Sequence, residues 1–392
     1  MSQGLSRTDV DQDLLAKFTS EIKAHVPHIR DGKSGTAIIN PTPLVDITDS
    51  VLDCARTEFD LDFSTRKAKV FGKFDSQIFG SSVKVRPAVQ IIEEAIATGK
   101  LRTGQTVFEA TSGNFGLALG MLEKLGLRVV VLVSRKLQEG VVEELKKKNV
   151  KTVDLDVDIC PAPGLKVDQN IFAAKVTAEN LKQELVQIGL DGAVFDSARG
   201  EIEGLLARQD VINLAKFLAK AYGGFSPEQY DNELNVKSHE TVTGPEIDQQ
   251  VRVLGYSLDD FRVVTTFGTG GTSAGLSNYT QAKYARKTVH VVFPLGNQDV
   301  AGIRARTTRP LRKESTTRRG TLAYSRATCT RSAGSFPIGA GSAIIPPVRL
   351  SPSTPFSASI CATLSEVPPA IHTRSNLPLS LGRRALKVSG IC

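Results

Sequence analysis

Between residues 85 and 300 the apolar positions switch repeatedly between helical and strand spacing. Residues 85–96 set Ala88, Ile92, Ala95 and Ile96 on one face at intervals of three and four, and Gly99 closes the run, which predicts a helix. Residues 106–110 form a short apolar run that predicts a strand, followed by a helix over 115–125. Residues 127–133 are almost unbroken in β-branched and apolar side chains, as a strand buried on both faces requires. A charged amphipathic helix is predicted over 137–149, and further buried strands over 262–267 and 289–293 flank a helix over 272–285. This strand–helix rhythm predicts an α/β fold, with parallel-rich sheets covered by helices.

The middle segment, 157–228, is less regular. Its spacing predicts helices over 168–188 and 201–221, joined by a short strand over 192–195. The last 90 residues change character: residues 304–392 are rich in Ser, Thr, Pro and Arg and lack sustained periodicity. Such a composition reads either as a disordered basic tail or as an out-of-frame segment. The abrupt change near Arg304, inside a sheet that should continue, favours the second reading.

Charge sharpens this division. The chain carries a formal +8, yet residues 301–392 alone hold 14 Lys+Arg against 2 Asp+Glu, so the preceding 300 residues are mildly acidic. The basic balance is therefore a property of the tail and gives the body no nucleic-acid footprint. A length of 392 residues allows two or three domains. The five cysteines are scattered without CxxC pairing and the five histidines lack ligand spacing, so neither a disulfide framework nor a metal site is expected. Cys160 reads as a turn residue. No apolar run spans a membrane and no secretory leader is visible, so a cytoplasmic protein is expected.

Three glycine-bearing loops stand at strand-to-helix junctions, where α/β folds place their ligands. The first, Phe79-Gly80-Ser81-Ser82-Val83-Lys84-Val85-Arg86-Pro87, puts Lys84 just ahead of a helix. There the positive end of the dipole favours a neutral amine, the form that attacks carbonyl groups; taken alone, it also reads as a solvated surface lysine. The second, Ala110-Thr111-Ser112-Gly113-Asn114-Phe115-Gly116, offers hydroxyls, an amide and backbone N–H groups suited to a carboxylate, or simply a helix cap and turn. The third, Gly268-Thr269-Gly270-Gly271-Thr272, lets backbone close round a phosphate at a helix N-terminus, or is a plain glycine turn. It is not a dinucleotide fingerprint, because the third glycine position is Ser273 and no acidic residue ends the next strand; nor does a Gly-Lys-Ser/Thr follow it as a Walker loop needs.

Taken together and in this order, these segments resemble the cysteine synthase and cystathionine β-synthase group of fold-type II pyridoxal-phosphate enzymes. The likeness runs over residues 39–300. It is carried by Thr42-Pro43-Leu44-Val45, the loop around Lys84, Thr111–Gly116, and the third loop. A further stretch adds Gln229-Tyr230-Asp231-Asn232, Asn235, His239 and Thr243-Gly244-Pro245-Glu246-Ile247. The resemblance implies pyridoxal 5′-phosphate as cofactor, held by Lys84 as Schiff-base lysine and Cα base. Gly268, Thr269, Gly270, Gly271 and Thr272 would bind its phosphate, with Asn114 at its 3′-oxygen. It also implies Thr111, Ser112, Asn114 and Gln229 at the substrate carboxylate. The reaction implied is β-replacement on a serine-derived amino acid, through an aminoacrylate that adds sulfide or another thiol; β-elimination and a catalytically inactive homologue remain open. The family's pyridine-nitrogen serine has one loose candidate, Ser342.

The implied organisation places an N-terminal extension at 1–38 and a larger cofactor domain at 39–86 plus 229–303. A smaller mobile domain at 87–228 carries an insertion at 157–197, and the tail follows from 304. A homodimer acting on a small amino acid is implied, with neither nucleic acid nor membrane as partner. Two departures stand out. Val85 replaces the acidic residue expected after the lysine, and Phe115 replaces a small residue in the carboxylate loop, which is expected to narrow the pocket.

Overall fold

The computed structural model describes residues 10–32, 35–63, 68–111, 113–133, 139–155, 177–284 and 289–292, with the short strand Ser365–Glu366. In chain order these form α1 (Gln12–Glu21), β1 (His28–Gly32), β2 (Gly35–Ile39), β3 (Leu44–Asp46), α2 (Thr48–Phe59), β4 (Ala68–Lys69), β5 (Phe71–Lys73) and α3 (Val85–Ala97). Next come β6 (Thr106–Thr111), α4 (Asn114–Leu119), β7 (Arg128–Val133), α5 (Glu139–Lys147) and β8 (Lys151–Asp154). Helices α6 (Ala178–Gln187), α7 (Gly192–Ala207), α8 (Val211–Ala221), α9 (Glu233–Ser238) and α10 (Gly244–Val253) precede β9 (Val263–Thr266), α11 (Gly271–Lys283) and β10 (Val289–Val292).

The fold is α/β. Strands β6, β7 and β8 form a parallel sheet in that order. Successive side chains of a strand point to opposite faces, and β7 shows what that does. Val129, Val131 and Val133 join one apolar cluster with α3, α4 and α5, while Val130 and Leu132 join another with α6, α7 and α8. Both faces are dry, which is why 127–133 carries no polar alternation. A third cluster, built on Phe71, Ile247, Val251, Phe261 and Leu276, underlies β9 and α11. Strands β9 and β10 pair in parallel. Ser365–Glu366 pairs antiparallel with β4.

Several elements differ from the sequence expectation. Residues 192–195 are the first turn of α7 rather than a strand: Asp191 accepts a hydrogen bond from the Ala193 N–H as an N-cap, and Phe195, Ile202 and Leu205 then share a buried face. The single helix expected over 201–221 is broken in two. Gln209 takes a left-handed φ of 54° and Asp210 caps α8 through the Asn213 N–H. The helix expected over 115–125 tightens into a 3₁₀ turn from Gly120 to Leu125 and stops at left-handed Gly126. Within residues 12–26, whose burial the sequence pattern neither predicts nor excludes, Leu14 and Phe18 of α1, with Ile22 and Val26 after it, are buried against the cluster that holds α3. Among the described residues, no helix is long and apolar enough to cross a membrane.

Four distant stretches of chain meet in one buried ion cluster. Arg86, in the first turn of α3, donates to both carboxylate oxygens of Asp75 (2.9 and 2.7 Å), to Glu246 of α10 (2.6 Å) and to the Thr42 hydroxyl (3.0 Å). Lys73 of β5 donates to Glu246 (2.6 Å), to Gln250 (2.8 Å) and to the Thr42 carbonyl (2.5 Å). Burial works against the Asp75 charge, but the Arg86 guanidinium overcomes it and holds the carboxyl below the usual carboxylate range. The carboxylates facing Arg86 thus come from Asp75 and Glu246, while the neighbouring Val85 is fully buried in the core.

Glu246→Ala would leave Arg86 and Lys73 buried without one of their counter-charges. It is expected to cost about 3–5 kcal/mol, read as a fall in the denaturant midpoint of the full chain. Val253→Ala, on an exposed side chain at the end of the same helix, is expected to stay within about 0.5 kcal/mol.

Candidate active site

The loop that carries Lys84 turns sharply before α3. Gly80 and Ser81 both adopt positive φ (94° and 65°), and a Cβ on Gly80 would stand 2.6 Å from the Val85 side chain. The turn delivers Lys84 to the start of the helix, half-buried, with its Nζ donating to Thr269 Oγ1 at 3.2 Å. Thr269 also accepts a hydrogen bond from the Asn235 side-chain amide (2.9 Å), and the same amide nitrogen donates to the Gln229 carbonyl (2.8 Å). Lysine loop, glycine loop and the Gln229 segment are therefore joined through two side chains, Thr269 and Asn235.

The glycine loop is shaped by contact. Gly270, at φ 88°, caps α11, and a Cβ on Gly271 would stand 2.1 Å from Asn235 Oδ1. One turn on, a Cβ on Gly275 would meet the Val236 carbonyl at 2.4 Å. These two glycines leave one face of α11 flat enough to press against α9 and the π-helical turn His239–Thr243 that follows it. The N-terminus of α11, with its unshared backbone N–H groups, so opens beside Lys84, a setting that suits an anion. Asn235 Oδ1 is buried there and meets no hydrogen-bond donor among the described residues.

His239 lies under this loop, fully buried, with Nδ1 3.0 Å from Thr243 Oγ1 and Nε2 3.2 Å from Thr272 Oγ1. Burial, with Arg86 next in weight, pushes its pKa down to about 3, so the ring is a neutral strut of the loop rather than a cation. The carboxylate loop follows β6. Thr111 is buried and accepts the Gly113 N–H at 3.1 Å, and Gly113 at φ 126° leads into α4, whose first residue is the half-buried Asn114. Gln229 is buried beside this loop and donates its side-chain amide to the Ala110 carbonyl (3.3 Å).

Of the residues singled out from sequence, Lys84, Thr269 and Gln229 are linked by named hydrogen bonds through Asn235, Thr272 is held separately by His239, Gly270 and Gly271 shape the loop that carries Thr269 and Thr272, and Thr111 and Asn114 line its neighbour. Ser112 and Ser342 lie outside the described residues, as do Cys160 and most of the insertion and tail. Phe115 corrects an expectation: its ring is buried in the apolar cluster shared with α3 and α5, so it supports the loop from below. Among the described residues no group of three His, Cys, Asp or Glu side chains is placed to hold a metal. Asn235, His239 and Glu109 were given no role from sequence. Asn235 and His239 stand four apart, one helical turn, in a stretch whose apolar positions do not account for them.

The structure suits a phosphorylated cofactor. A glycine loop packed so closely that a Cβ at 271 would stand 2.1 Å from Asn235 Oδ1, a helix N-terminus and a lysine amine meet at one place. Comparison with known proteins agrees. The family of pyridoxal-phosphate dependent enzymes matches residues 38–332. A cysteine synthase of Staphylococcus aureus (strain Mu50 / ATCC 700699) is 27% identical over 267 residues, 68% of this chain and 66% of its own length. A cystathionine beta-synthase of Saccharomyces cerevisiae is 27% identical over 59% of this chain and 38% of its own length. This chain thus spans just under two thirds of the cysteine synthase and a smaller part of the yeast protein. The crystal structure of an O-acetylserine dependent cystathionine beta-synthase from Helicobacter pylori aligns with a TM-score of 0.44 at 20% identity, covering 64% of this chain and 63% of its own.

Two predictions follow from this geometry. Gly271→Ala drives a methyl group into Asn235 and is expected to weaken pyridoxal phosphate binding by tenfold or more, on the order of 1.4 kcal/mol or above, measured by titration of the cofactor's absorbance. The second concerns Glu109, buried beneath Gln229, whose pKa burial raises to about 8 from the ordinary carboxyl value near 4.5. The folded chain therefore holds a proton that the unfolded chain has lost between these two values. Glu109 contributes its full stability below about pH 4.5, and that contribution is lost as pH rises through about 8. Denaturation of the parent and of Glu109→Gln across pH 5–8 should show the difference moving against the parent by up to ~1.4 kcal/mol per pH unit.

Proposed function

Because this chain belongs to the family of pyridoxal-phosphate dependent enzymes, we propose that Lys84 holds the cofactor, that residues 268–272 hold its phosphate, and that the site catalyses β-replacement on a serine-derived amino acid with sulfide or another thiol. The observation that carries this reading is the hydrogen bond from Lys84 Nζ to Thr269 Oγ1, which places the amine at the lip of the anion cradle. The cofactor, when bound, supplies an electron sink for chemistry at the amino-acid Cα.

The protein's own residues do the rest. The first turn of α11 and the Thr269 and Thr272 hydroxyls receive the phosphate, and neutral His239 keeps Thr272 in place without adding a charge. Lys84, released when an amino acid takes its place, is positioned to remove the Cα proton and return it. Thr111, Ser112 and Asn114 are assigned to the amino-acid carboxylate together with Gln229, whose buried amide donates to the Ala110 carbonyl. Asn114 also serves the cofactor's 3′-oxygen. Residues 87–228 act as the smaller domain that closes over substrate and excludes water. That role is supported by their own sheet and by the apolar clusters on its two faces, one of which also takes in α1 and Ile78, both distinct from the cluster under α11. The same reading takes the working unit as a homodimer in the cytoplasm.

The purified full chain with added pyridoxal phosphate is expected to show a visible absorbance band that disappears in Lys84→Ala. The loaded protein is then given O-acetyl-L-serine with and without sulfide. A cysteine product that appears only with sulfide confirms replacement; pyruvate and ammonia at the same rate in both cases would refute it in favour of elimination. Absence of the band in soluble parent protein would overturn the assignment of Lys84.

A further inference from the structure

We propose that Glu109 is a positioning residue of the amino-acid site, holding Gln229 in register with the carboxylate loop from beneath. The inference rests on the functional reading given above and concerns how that site is kept in shape.

The geometry begins at the edge of β6. After α8 the chain returns alongside this strand. The Phe225 N–H donates to the Thr106 carbonyl (2.9 Å) and the Phe108 N–H donates to the Phe225 carbonyl (2.8 Å), so residue 225 adds a one-residue parallel bridge to the sheet. Beyond that point the returning chain no longer continues the ladder, and its N–H groups need another acceptor. Glu109 provides it. Its carboxyl, 2% exposed, accepts the Glu228 N–H at 2.9 Å and faces the Gln229 N–H as well. The next residue of β6, Ala110, accepts the Gln229 side-chain amide through its carbonyl, and the one after it, Thr111, opens the carboxylate loop.

Three consecutive residues of one strand therefore set the site: Glu109 fixes the Gln229 backbone, Ala110 fixes its side chain, and Thr111 begins the loop it faces. A hydrophobic side chain would fill a buried position between two apolar clusters more cheaply than a carboxyl does, so the acid is retained for the two N–H groups. Glu228, exposed on the far side of this segment, is paired with Lys216 of α8 (2.8 Å), which anchors the outer edge without reaching the site. The contacts of Glu109 are to the backbone of the returning chain and not to the groups proposed to face substrate. Glu109 acts through Gln229 and is not itself a catalytic residue.

Two measurements test this on the full chain. In hydrogen exchange without cofactor, Glu109→Ala should speed exchange of the Glu228 and Gln229 N–H groups by about tenfold or more, while those of β7 keep their protection. In the pyridoxal-phosphate-loaded protein, titration with O-acetyl-L-serine, read by the change in the visible band, should give an affinity about 10–100-fold weaker in Glu109→Ala. Cofactor affinity should be unchanged and turnover at saturation little altered. Glu109→Gln, which keeps a carbonyl acceptor, should remain within about threefold of the parent. Glu109→Ala added to Gln229→Ala should bring no further loss.

Unchanged exchange, unchanged amino-acid affinity, or an equal loss of cofactor binding in Glu109→Ala would each overturn the proposal. If that variant does not fold, Glu109→Asp replaces it under the same outcomes, since a carboxyl one methylene shorter does not span both N–H groups. A parent protein that binds pyridoxal phosphate but gives no response to the amino acid defeats the functional reading itself, and with it the substrate role of Glu109, whatever the exchange shows.

Discussion

The buried pairing of Arg86 with Glu246 and Asp75 is the interaction on which the remaining site geometry depends. A guanidinium removed from water is tolerated only when its fork is filled, and here all of its contacts come from side chains far apart in sequence. Residue 42 lies just ahead of β3, residue 75 follows β5, residue 86 opens α3 and residue 246 lies in α10. Removing any one of the three charged residues leaves a charge stranded in the interior, so the cluster stabilises a single mutual placement of the four segments. Lys84 is two residues from this anchor. Its position at the mouth of the glycine loop is a consequence of where Arg86 must be.

A second constraint acts at the other end of the same contact. Helix α11 reaches its place only because Gly271 and Gly275 present no side chain to α9. The close approach brings Asn235 and His239 under the loop, and each then serves more than one partner. Asn235 joins Gln229 to Thr269, and His239 joins Thr243 to Thr272. A polar group buried this way has few alternative partners, which makes the loop rigid without any contribution from bulk apolar packing.

Much of this could be seen in the sequence because loops that bind anions are written in glycines and hydroxyls at element boundaries, and those local signals do not depend on tertiary context. Strands β6 and β7 were legible for a related reason: burial on both faces forces an apolar run, which β8, Lys151-Thr152-Val153-Asp154 at the edge of the sheet, does not carry. The misreadings arose where local and tertiary signals diverge. Residues 192–195 carry strand-like side chains, yet the Asp191 cap and the buried face running on to Leu205 make them helical. Phe115 looked like a pocket residue because its neighbours are; the direction of its ring is set by α4, which turns it into the core. The buried partners of Arg86 were beyond reach, since a threonine, an aspartate and a glutamate lying up to 160 residues from it give no sequence sign of convergence.

The interior treats its ionisable groups in two different ways, and the difference follows the chemistry asked of each region. Arg86 and Asp75 are held charged by their pairing, in a cluster with Glu246 and Lys73 that fixes helices. His239 and Glu109 are buried away from any matched counter-charge. Burial pushes the imidazole down to about 3 and the carboxyl up to about 8, so both are neutral near pH 7. These two neutral groups lie directly under the places proposed for a phosphate and a carboxylate. A histidinium at 239 would add a second cation beside Lys84 and favour its neutral amine, but at the cost of a bare charge in the core. A carboxylate at 109 would repel a substrate carboxylate held by Gln229. Keeping both neutral leaves the field at the site to the α11 N-terminus and the Lys84 amine, so the anion-binding character of the pocket comes from groups that face its ligands rather than from the scaffold behind them.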